Sequence, residues 1–501
     1  MALSPLHLLV LLSLALGALL WGVTLILGGQ GVQLQRYLAL LGFYGVCSAV
    51  FVVSRIRRGN LQLFEIPVFM TILYFVQFGL VPLRNFIDPT QLDVILSANG
   101  EELVQALSYI ILGMMAFWAG CELVRRKEVD RISARPATQS VVPKSNQAGV
   151  LFAFGALYAV GFITKVYLLK NHLYEYVGST DKYFENLASM QVLNYVQQFG
   201  TLALIVATIE RYRNRPDPLW RFLFVAALAS EIFWGLISGM KTVLLQNFVV
   251  VALVSSFVMK RLNLRWLVGL FFALVLVYPL SNAYRSLVRE EGVEVTSLEE
   301  AVSAAQMAYS RVQAGGSTTE DVWRQGLAST LQRVDLLTCV AQVLALGDRA
   351  SIARGHVPWW MLPFYPFIPR FLWPSKPILQ QGGLFTAALA GHGDSYSAGS
   401  STAMTYPGDL YLQFGLLGVP IGMFVLGAFL QWVTNRVSPS VEPRDLFVYA
   451  DVFLFVTWIE CDAFFVWASL IKMLVILYAL RLLIYGRSKG ISLVRRSARR
   501  G

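Results

Sequence analysis

The sequence predicts an all-α polytopic integral membrane protein, with about 12 transmembrane helices and one large external loop that itself contains helices. The first observation is composition: 56% of the 501 residues are hydrophobic and only 14% are charged, and the mean hydropathy is +0.58. The second is the recurrence of apolar stretches of about 17 to 25 residues, the length that crosses a bilayer as a helix. The third is the placement of basic residues on alternate connections. Together they exclude a soluble protein.

Twelve apolar stretches are predicted to span the membrane. The first has no basic residues before it and is longer than the apolar core of a signal peptide, so we expect it to be a retained span. The predicted spans are 6–27, 36–53, 62–83, 104–124, 148–169, 190–209, 219–238, 243–259, 266–281, 410–433, 446–468 and 470–485.

Basic residues predict the orientation. Six basic segments fall on alternate connections, and cytoplasmic connections are the ones that concentrate Lys and Arg. This accounts for the formal charge of +11 without a nucleic-acid partner and predicts a multi-pass inner-membrane protein with both termini cytoplasmic. The tail 486–501 is expected to contact anionic membrane lipids. The six segments are 55–58, 125–144, 211–221, 260–265, 436–444 and 487–500.

The chain is therefore divided into nine spans over 1–281, a large periplasmic loop over 282–409, three spans over 410–485 and the basic tail. The loop is predicted to hold a helix that starts at the capping-box pattern Ser297 to Glu300, a break at Gly315 and Gly316, and a second helix over 319–346 that ends at Gly347. Three of the four cysteines lie in apolar runs, so a disulfide framework is not expected.

The stretch 354–411 is the polar centre of the chain. Six prolines between 358 and 377 alternate with aromatic residues, which excludes a continuous helix and favours a backbone at the membrane surface. Arg370 and Lys376 project from this segment. A run rich in Gly, Ser, Ala and Thr follows over 382–401 and is predicted to be a mobile flap.

Basic residues on the external face are unexpected under the positive-inside rule and are therefore candidates for function. If the helix of the ninth span continues past 281, Arg285 and Arg289 share one face of it and are suited to clamp a phosphate, since guanidinium groups bind phosphate oxygens bidentately. Lipid headgroups, or ion pairs with Glu290 or Glu291, are the alternatives. Lys241, in a short external turn, is either functional or simply extended toward the membrane surface.

Further charged residues, most of them acidic, are the other candidates. Arg333 and Asp335 are expected on one helix, about 200 degrees apart, so that only one of them faces a site; we favour Arg333. Glu460 and Asp462 are expected in the outer half of the eleventh span, too splayed to share a metal unless the helix breaks. Glu231, inside the seventh span, has both a structural and a functional interpretation.

Four further external residues complete the candidates: His356, His392, Asp394 and Asp409. The histidines are more typical of solvated loop positions than of ligands. No catalytic triad order, metal motif or phosphate-binding loop is found, and no metal or cofactor is predicted.

Several short segments of the sequence resemble those of bacterial O-antigen and exopolysaccharide repeat-unit polymerases of the Wzy type. They are SGMK, NAYR, LQRVDLL, IPRFLWPSKP and PGDLYLQFGLLGVPIGMFVLG. The resemblance implies a GT-C-like, all-helical membrane glycosyltransferase of polysaccharide or lipopolysaccharide biosynthesis. Its substrate would be an undecaprenyl-diphosphate-linked oligosaccharide, and its partners a flippase and a polysaccharide co-polymerase.

The resemblance also implies residue roles for a metal-independent transfer. The implied ligands of the diphosphate or glycan are Arg285, Arg333 and Arg370, with Lys241, Arg289 and Lys376 in support. The implied candidates for the base are Asp335, Asp409 and Glu460, and His356, Tyr411 and Trp373 complete the implied substrate site.

One feature of some relatives is missing: Arg370 is followed eleven residues later by Gln381, so a paired Arg-x10-Gly loop is not evident. The alternatives are a ligase-like transferase, a transporter or flippase of lipid-linked sugars, and a non-enzymatic scaffold of an export complex.

Overall fold

A computed structural model describes most of the chain between residues 32 and 485. The residues outside the description are 1–31, 57–62, 88–97, 126–146, 179–181, 183–184, 214–216, 290, 294, 315–330, 332–333, 356–357, 359, 363, 369, 371, 374, 377–380, 391–403, 438–442, 461–462 and 486–501. All regular secondary structure in the described ranges is helical.

Among the described residues before the large loop, nine α-helices are longer than four residues. They are α1 (Val32–Ile56), α2 (Ile66–Phe75), α3 (Gly100–Val124), α4 (Gln147–Lys170), α5 (Leu187–Val196), α6 (Phe199–Arg213), α7 (Pro218–Ile237), α8 (Lys241–Met259) and α9 (Leu264–Arg289). Helix α2 continues through a π turn (Val76–Leu80) and a 3-10 turn (Val81–Leu83) into a short helix (Arg84–Ile87).

Eight α-helices follow in the part of the chain that the structure describes. They are α10 (Leu298–Ala314), α11 (Leu337–Ala345), α12 (Ala350–Arg354), α13 (Gln381–Ala390), α14 (Tyr406–Phe414), α15 (Gly418–Arg436), α16 (Pro443–Val456) and α17 (Ala463–Tyr485). The segment from α10 to α14 lies at one end of the bundle, and we call this end the loop end. We call the other end of the bundle the opposite end.

The prediction of an α-helical membrane protein is confirmed. Within the described residues, 8 helical stretches are long and apolar enough to cross a membrane. They comprise α1, α2 with its continuation, α3, α4, α5 with α6, α7, α8 and α15. The predicted first span, 6–27, lies outside the described residues. The count of about 12 stays a prediction.

Two predicted spans have different boundaries in the structure. The stretch 410–433 is divided between α14 and α15 at Gly415, whose φ of 68° ends the first helix. The predicted boundary at 469 is wrong, because α16 ends at Val456 and α17 starts at Ala463. Neither Gly nor Pro marks this second break, so the apolar pattern alone did not reveal it.

Helices α3 and α15 pack backbone against backbone. A Cβ added to Gly120 would lie 2.1 Å from the carbonyl oxygen of Phe424, and one added to Gly427 would lie 2.1 Å from that of Phe117. The Cys121 thiol donates a hydrogen bond to the Gly427 carbonyl at 3.3 Å. Small residues are what allow membrane helices to approach so closely.

A buried arginine joins four elements at the opposite end. Arg55 is 1% exposed and donates to Glu65 at 2.6 Å, Glu122 at 2.8 Å and Gln431 at 2.8 Å. The basic residue that the sequence assigned to a cytoplasmic connection is therefore a structural tie between α1, α3, α15 and the residue before α2.

The loop segment confirms one prediction and corrects another. The capping box is present: the Glu300 N–H donates to Ser297 Oγ at 3.2 Å and the Ser297 N–H donates to Glu300 Oε2 at 3.2 Å. Part of the predicted flap is instead a helix, α13, because Phe385 and Ala388 are completely buried against α12 and α14. Residues 391–403 of the flap lie outside the described residues.

Candidate functional site at the loop end of the bundle

Three cationic side chains meet at the loop end, and we call them the cation cluster: Arg370, Lys376 and Lys472. The Lys376 ammonium donates to the Ile368 carbonyl at 2.8 Å, and Arg370 Nη1 donates to the Lys376 carbonyl at 2.6 Å. Lys472, from α17, lies 5.8 Å from the centre of the Phe367 ring. Two parts of the chain about a hundred residues apart therefore contribute to one cluster.

The proline-aromatic segment explains why the cluster forms. Proline prevents a regular helix, so the segment has carbonyl groups without helical partners, and these accept from Lys376 and Arg370. Its one helical element among the described residues is a 3-10 turn at Tyr365–Phe367. Tyr365 lies edge-on to Trp373 at 5.6 Å and has the Lys376 ammonium 4.5 Å from its ring centre.

Lys376 is the most perturbed member of the cluster. It is 5% exposed, and its burial, together with the charges of Lys472 and Arg370, lowers its pKa from 10.5 to about 8. Among the described residues, the ion pairs include none with Lys376 or Lys472. A cluster of like charges relieves its repulsion by binding an anion, and this arrangement favours a ligand with more than one negative charge.

A polar face of α5 extends from the cluster along the bundle. The Arg370 N–H donates to Gln191 Oε1 at 3.3 Å. Further along the helix, Gln197 donates to Asn194 at 3.4 Å and to Glu175 at 2.9 Å. These side chains are half-buried.

Glu175 was not singled out from the sequence. It starts a 3-10 turn after α4 with a φ of 45°, a conformation that costs energy for any residue except glycine. Burial raises the pKa of its carboxyl group, while the hydrogen bond from Gln197 and the charge of Lys165 oppose that shift. Only its strained backbone singles out Glu175, and backbone strain cannot be recognised from a sequence.

Lys165 and Glu231 form a buried ion pair between α4 and α7. Their charged atoms are 2.6 Å apart, and the Thr201 hydroxyl donates to the second carboxylate oxygen at 3.2 Å. A Cβ on Gly200 would lie 2.2 Å from Glu231 Oε1, so glycine leaves room for the pair. The sequence singled out Glu231 but missed Lys165; a charged residue inside an apolar span was the available signal.

Arg285 lies at a second place on the loop end. Helix α9 continues beyond the predicted span to Arg289, which is the condition for Arg285 and Arg289 to share one helix face. Arg285 Nε donates to the Gly239 carbonyl at 2.7 Å, and Ser281 donates to the same oxygen at 3.1 Å. Lys241 is the first residue of α8; its side chain and that of Arg289 lie outside the description.

The three predicted carboxylates occupy different environments. Asp335 accepts from Asn85 at 2.7 Å and from the N–H and hydroxyl of Thr338 at 3.2 and 2.9 Å. It is 5% exposed, and burial raises its pKa. Asp335 follows a helical turn, since its N–H donates to the Leu331 carbonyl at 3.0 Å, and its carboxylate caps the first turn of α11 by accepting from the Thr338 N–H. The relative orientation of Arg333 and Asp335 stays a prediction. Arg333 lies outside the described residues.

Asp409 and Glu460 differ in accessibility. Asp409 is completely buried in the first turn of α14, just after Thr405, whose φ is 65°. Glu460 is half-buried and lies in the non-helical link between α16 and α17. The expectation that Glu460 lies within a span helix is therefore wrong. Asp462, the residue paired with it in the sequence pattern, lies outside the described residues.

The remaining predicted ligands also lie in different places. Trp373 lies beside the cation cluster through its contact with Tyr365, whereas Tyr411 packs against Tyr109 with ring centres 5.7 Å apart. His356 lies outside the described residues, as do His392 and Asp394. The structure thus brings Arg370, Lys376 and Trp373 together.

No group of three or more His, Cys, Asp or Glu side chains that could hold a metal ion is found in the described part of the chain. No solved structure matches the chain. A protein-family model does match, over residues 71–439, and its description is domain of unknown function DUF8712. This match runs from α2 to just beyond α15 and includes Arg285, Arg370 and Lys376, so the chain belongs to the DUF8712 family.

Proposed function

We propose that the protein is a repeat-unit polymerase of O-antigen or exopolysaccharide, acting on undecaprenyl-diphosphate-linked oligosaccharides. The observation that carries this proposal is the cation cluster. Arg370 and Lys472 are half-buried beside aromatic rings, and their charges act on the buried Lys376, a setting that suits a diphosphate bearing a sugar. The resemblance of the surrounding sequence to Wzy-type enzymes supplies the reaction class.

In the proposed reaction, a hydroxyl oxygen at the non-reducing end of one lipid-linked unit attacks the anomeric carbon of the growing glycan. The bond between that carbon and the diphosphate oxygen breaks, and the hydroxyl proton passes to a carboxylate. Arg370, Lys376 and Lys472 stabilise the charge that develops on the departing diphosphate, the role that a metal ion has in other transferases. The reaction is thus proposed to be metal-independent.

Glu460 is the proposed proton acceptor among the three predicted carboxylates. It is half-buried, whereas Asp409 is completely buried and Asp335 is 5% exposed. A base must reach the hydroxyl that it deprotonates, and this requirement favours the accessible group. Glu460 also lies close in sequence to α17, the helix that contributes Lys472 to the cluster.

The location and partners belong to the same proposal. The loop end would face the periplasm and the opposite end the cytoplasm, in the bacterial inner membrane. A flippase would deliver the lipid-linked unit, and a polysaccharide co-polymerase would set the length of the chain. A GT-C-like arrangement of the helices is likewise part of the proposal.

The test uses purified protein in nanodiscs with the cognate undecaprenyl-diphosphate repeat unit and EDTA. We expect a ladder of products from wild type, and a loss of at least about a hundredfold in rate for Arg370→Ala and for Glu460→Gln. Arg354→Gln is the matched control, because Arg354 is exposed in the same segment and should leave the rate unchanged. Equal rates for wild type, Arg370→Ala and Glu460→Gln would overturn the proposed roles.

A second candidate function is transport of lipid-linked sugars, and the Lys165 and Glu231 pair is the observation that favours it. Charged groups buried inside a helix bundle often mark a substrate or ion pathway. A verified substrate that yields no product, but crosses a liposome membrane with the protein present, would support transport instead. Product that forms only with lipid A core as the acceptor would indicate a ligase.

A further inference from the structure

The turn between α8 and α9 forms a concave surface at the opposite end of the bundle, far along the helices from the cation cluster. It is an open depression with a volume of about 270 Å³. The lining residues are Met259, Arg261, Leu262, Asn263 and Arg265. Two cationic side chains and two apolar ones therefore share one depression.

The turn is fixed by hydrogen bonds, so the depression is built before any ligand arrives. Asn263 is 7% exposed; its N–H donates to Ser256 Oγ at 2.9 Å, and its side-chain amide donates to Ser255 Oγ at 2.9 Å. The Arg261 N–H donates to the Ser256 carbonyl at 3.1 Å, and Lys260 has a left-handed φ of 54°. Such a turn holds its shape at little further cost in entropy on binding.

The two arginines of the turn have exposed side chains. Within the described residues, neither Arg261 nor Arg265 takes part in an ion pair. The first N–H groups of α9 lie beside them, since that helix starts at Leu264, and these groups carry a partial positive charge. The depression is therefore suited to a phosphate.

Aromatic residues next to the turn indicate its depth in the bilayer. The Trp266 indole donates to the Tyr212 hydroxyl at 3.0 Å, and the Phe224 ring packs edge-on against both, at 6.0 and 6.1 Å. Trp and Tyr concentrate at the level of the lipid headgroups. The depression is therefore expected at the depth of the phospholipid phosphates. Met259 and Leu262 line it next to the apolar part of the lipid.

We propose that this turn is a binding site for the headgroup phosphate of an anionic phospholipid. Arg261 and Arg265 bind the phosphate oxygens, and the depression between them accepts the glycerol portion of the lipid. The site is independent of the proposed polymerase activity and would anchor α8 and α9, the helices that carry Lys241 and Arg285 at their far ends.

The test measures lipid binding by the full chain in mild detergent after lipid depletion. Phosphatidylglycerol and phosphatidylcholine with the same acyl chains are titrated, and native mass spectrometry and the melting temperature are the measurements. We expect Arg261→Gln/Arg265→Gln to bind phosphatidylglycerol at least about tenfold more weakly than wild type. The double variant Arg36→Gln/Arg221→Gln removes the same charge from exposed positions outside the turn and should bind like wild type.

A further variant separates a built site from general attraction between charges. Asn263→Ala keeps both arginines but removes the side chain that fixes the turn, and we expect it to bind phosphatidylglycerol several-fold more weakly. The proposal is overturned if the two double variants bind phosphatidylglycerol equally. It is also overturned if inorganic phosphate raises the melting temperature of wild type as much as the lipid does.

Discussion

The charge of Lys376 should control anion binding at the cation cluster, with a measurable dependence on pH. Because its pKa is lowered to about 8, its charge is present below that value and is lost as the pH rises through it. The charged fraction is about 90% at pH 7 and about 10% at pH 9. If the bound diphosphate requires the ammonium form, the Kd should rise about tenfold between these two pH values, equivalent to about 1.4 kcal/mol.

Lys376→Arg isolates this effect. A guanidinium stays charged throughout this range, so the dependence of the Kd on pH between 7 and 9 should nearly disappear. The measurement is binding of undecaprenyl diphosphate to protein in nanodiscs, at half-unit steps of pH. Ionisation of the diphosphate itself affects both proteins equally, so the ratio of their Kd values reports Lys376.

Lys472→Arg is the control within the cluster, because it keeps Lys376 in place and should retain a dependence on pH. Parallel pH curves for wild type and Lys376→Arg would refute the reasoning. In that case the protonation of Lys376 would not govern binding, and the cluster would lose its role as the anion site.

Three further predictions concern packing and buried charge, and each is measured as thermal unfolding of the purified protein in detergent. Gly120→Ala should lower the free energy of unfolding by about 1 to 3 kcal/mol because its Cβ would meet a backbone carbonyl of α15. Gly155→Ala, where a Cβ would have nothing within 4 Å, should leave it unchanged. Equal effects of the two substitutions would contradict the close packing. Asp335→Ala should cost about 1 to 3 kcal/mol by leaving buried donors of Asn85 and Thr338 unpaired, and an unchanged melting temperature would argue against the capping role. Glu231→Gln should lower the free energy of unfolding by about 3 to 5 kcal/mol because it leaves Lys165 charged and buried. Adding Lys165→Met should recover part of that stability. If it does not, the unpaired charge of Lys165 is not the cause of the loss.

Much of the local structure could be predicted from the sequence, because its causes are local. The capping box at Ser297 and Glu300 depends on two residues three positions apart. The irregular backbone around Arg370 and Lys376 follows from the prolines between which they lie. The continuation of α9 to Arg289 is not among these features, because Pro279 lies within the helix.

The rest depends on contacts between distant parts of the chain. Lys472 reaches the cluster from a helix about a hundred residues further on, and no local pattern predicts which ring it meets. Glu175 is singled out by a strained backbone, which appears only once α4 and α5 are packed. The link at Glu460 interrupts an apolar run without Gly or Pro, so helical periodicity gave no sign of it.

The glycine contact between α3 and α15 also has a consequence for biosynthesis. At about 5 to 20 residues per second, the stretch between Val124 and Gly418 takes roughly 15 to 60 s to translate. Throughout that time α3 is in the bilayer while its partner has not yet been made. Lipid or an insertion factor must cover the surface around Gly120 until α15 inserts against α3, and only α16 and α17 are made after that.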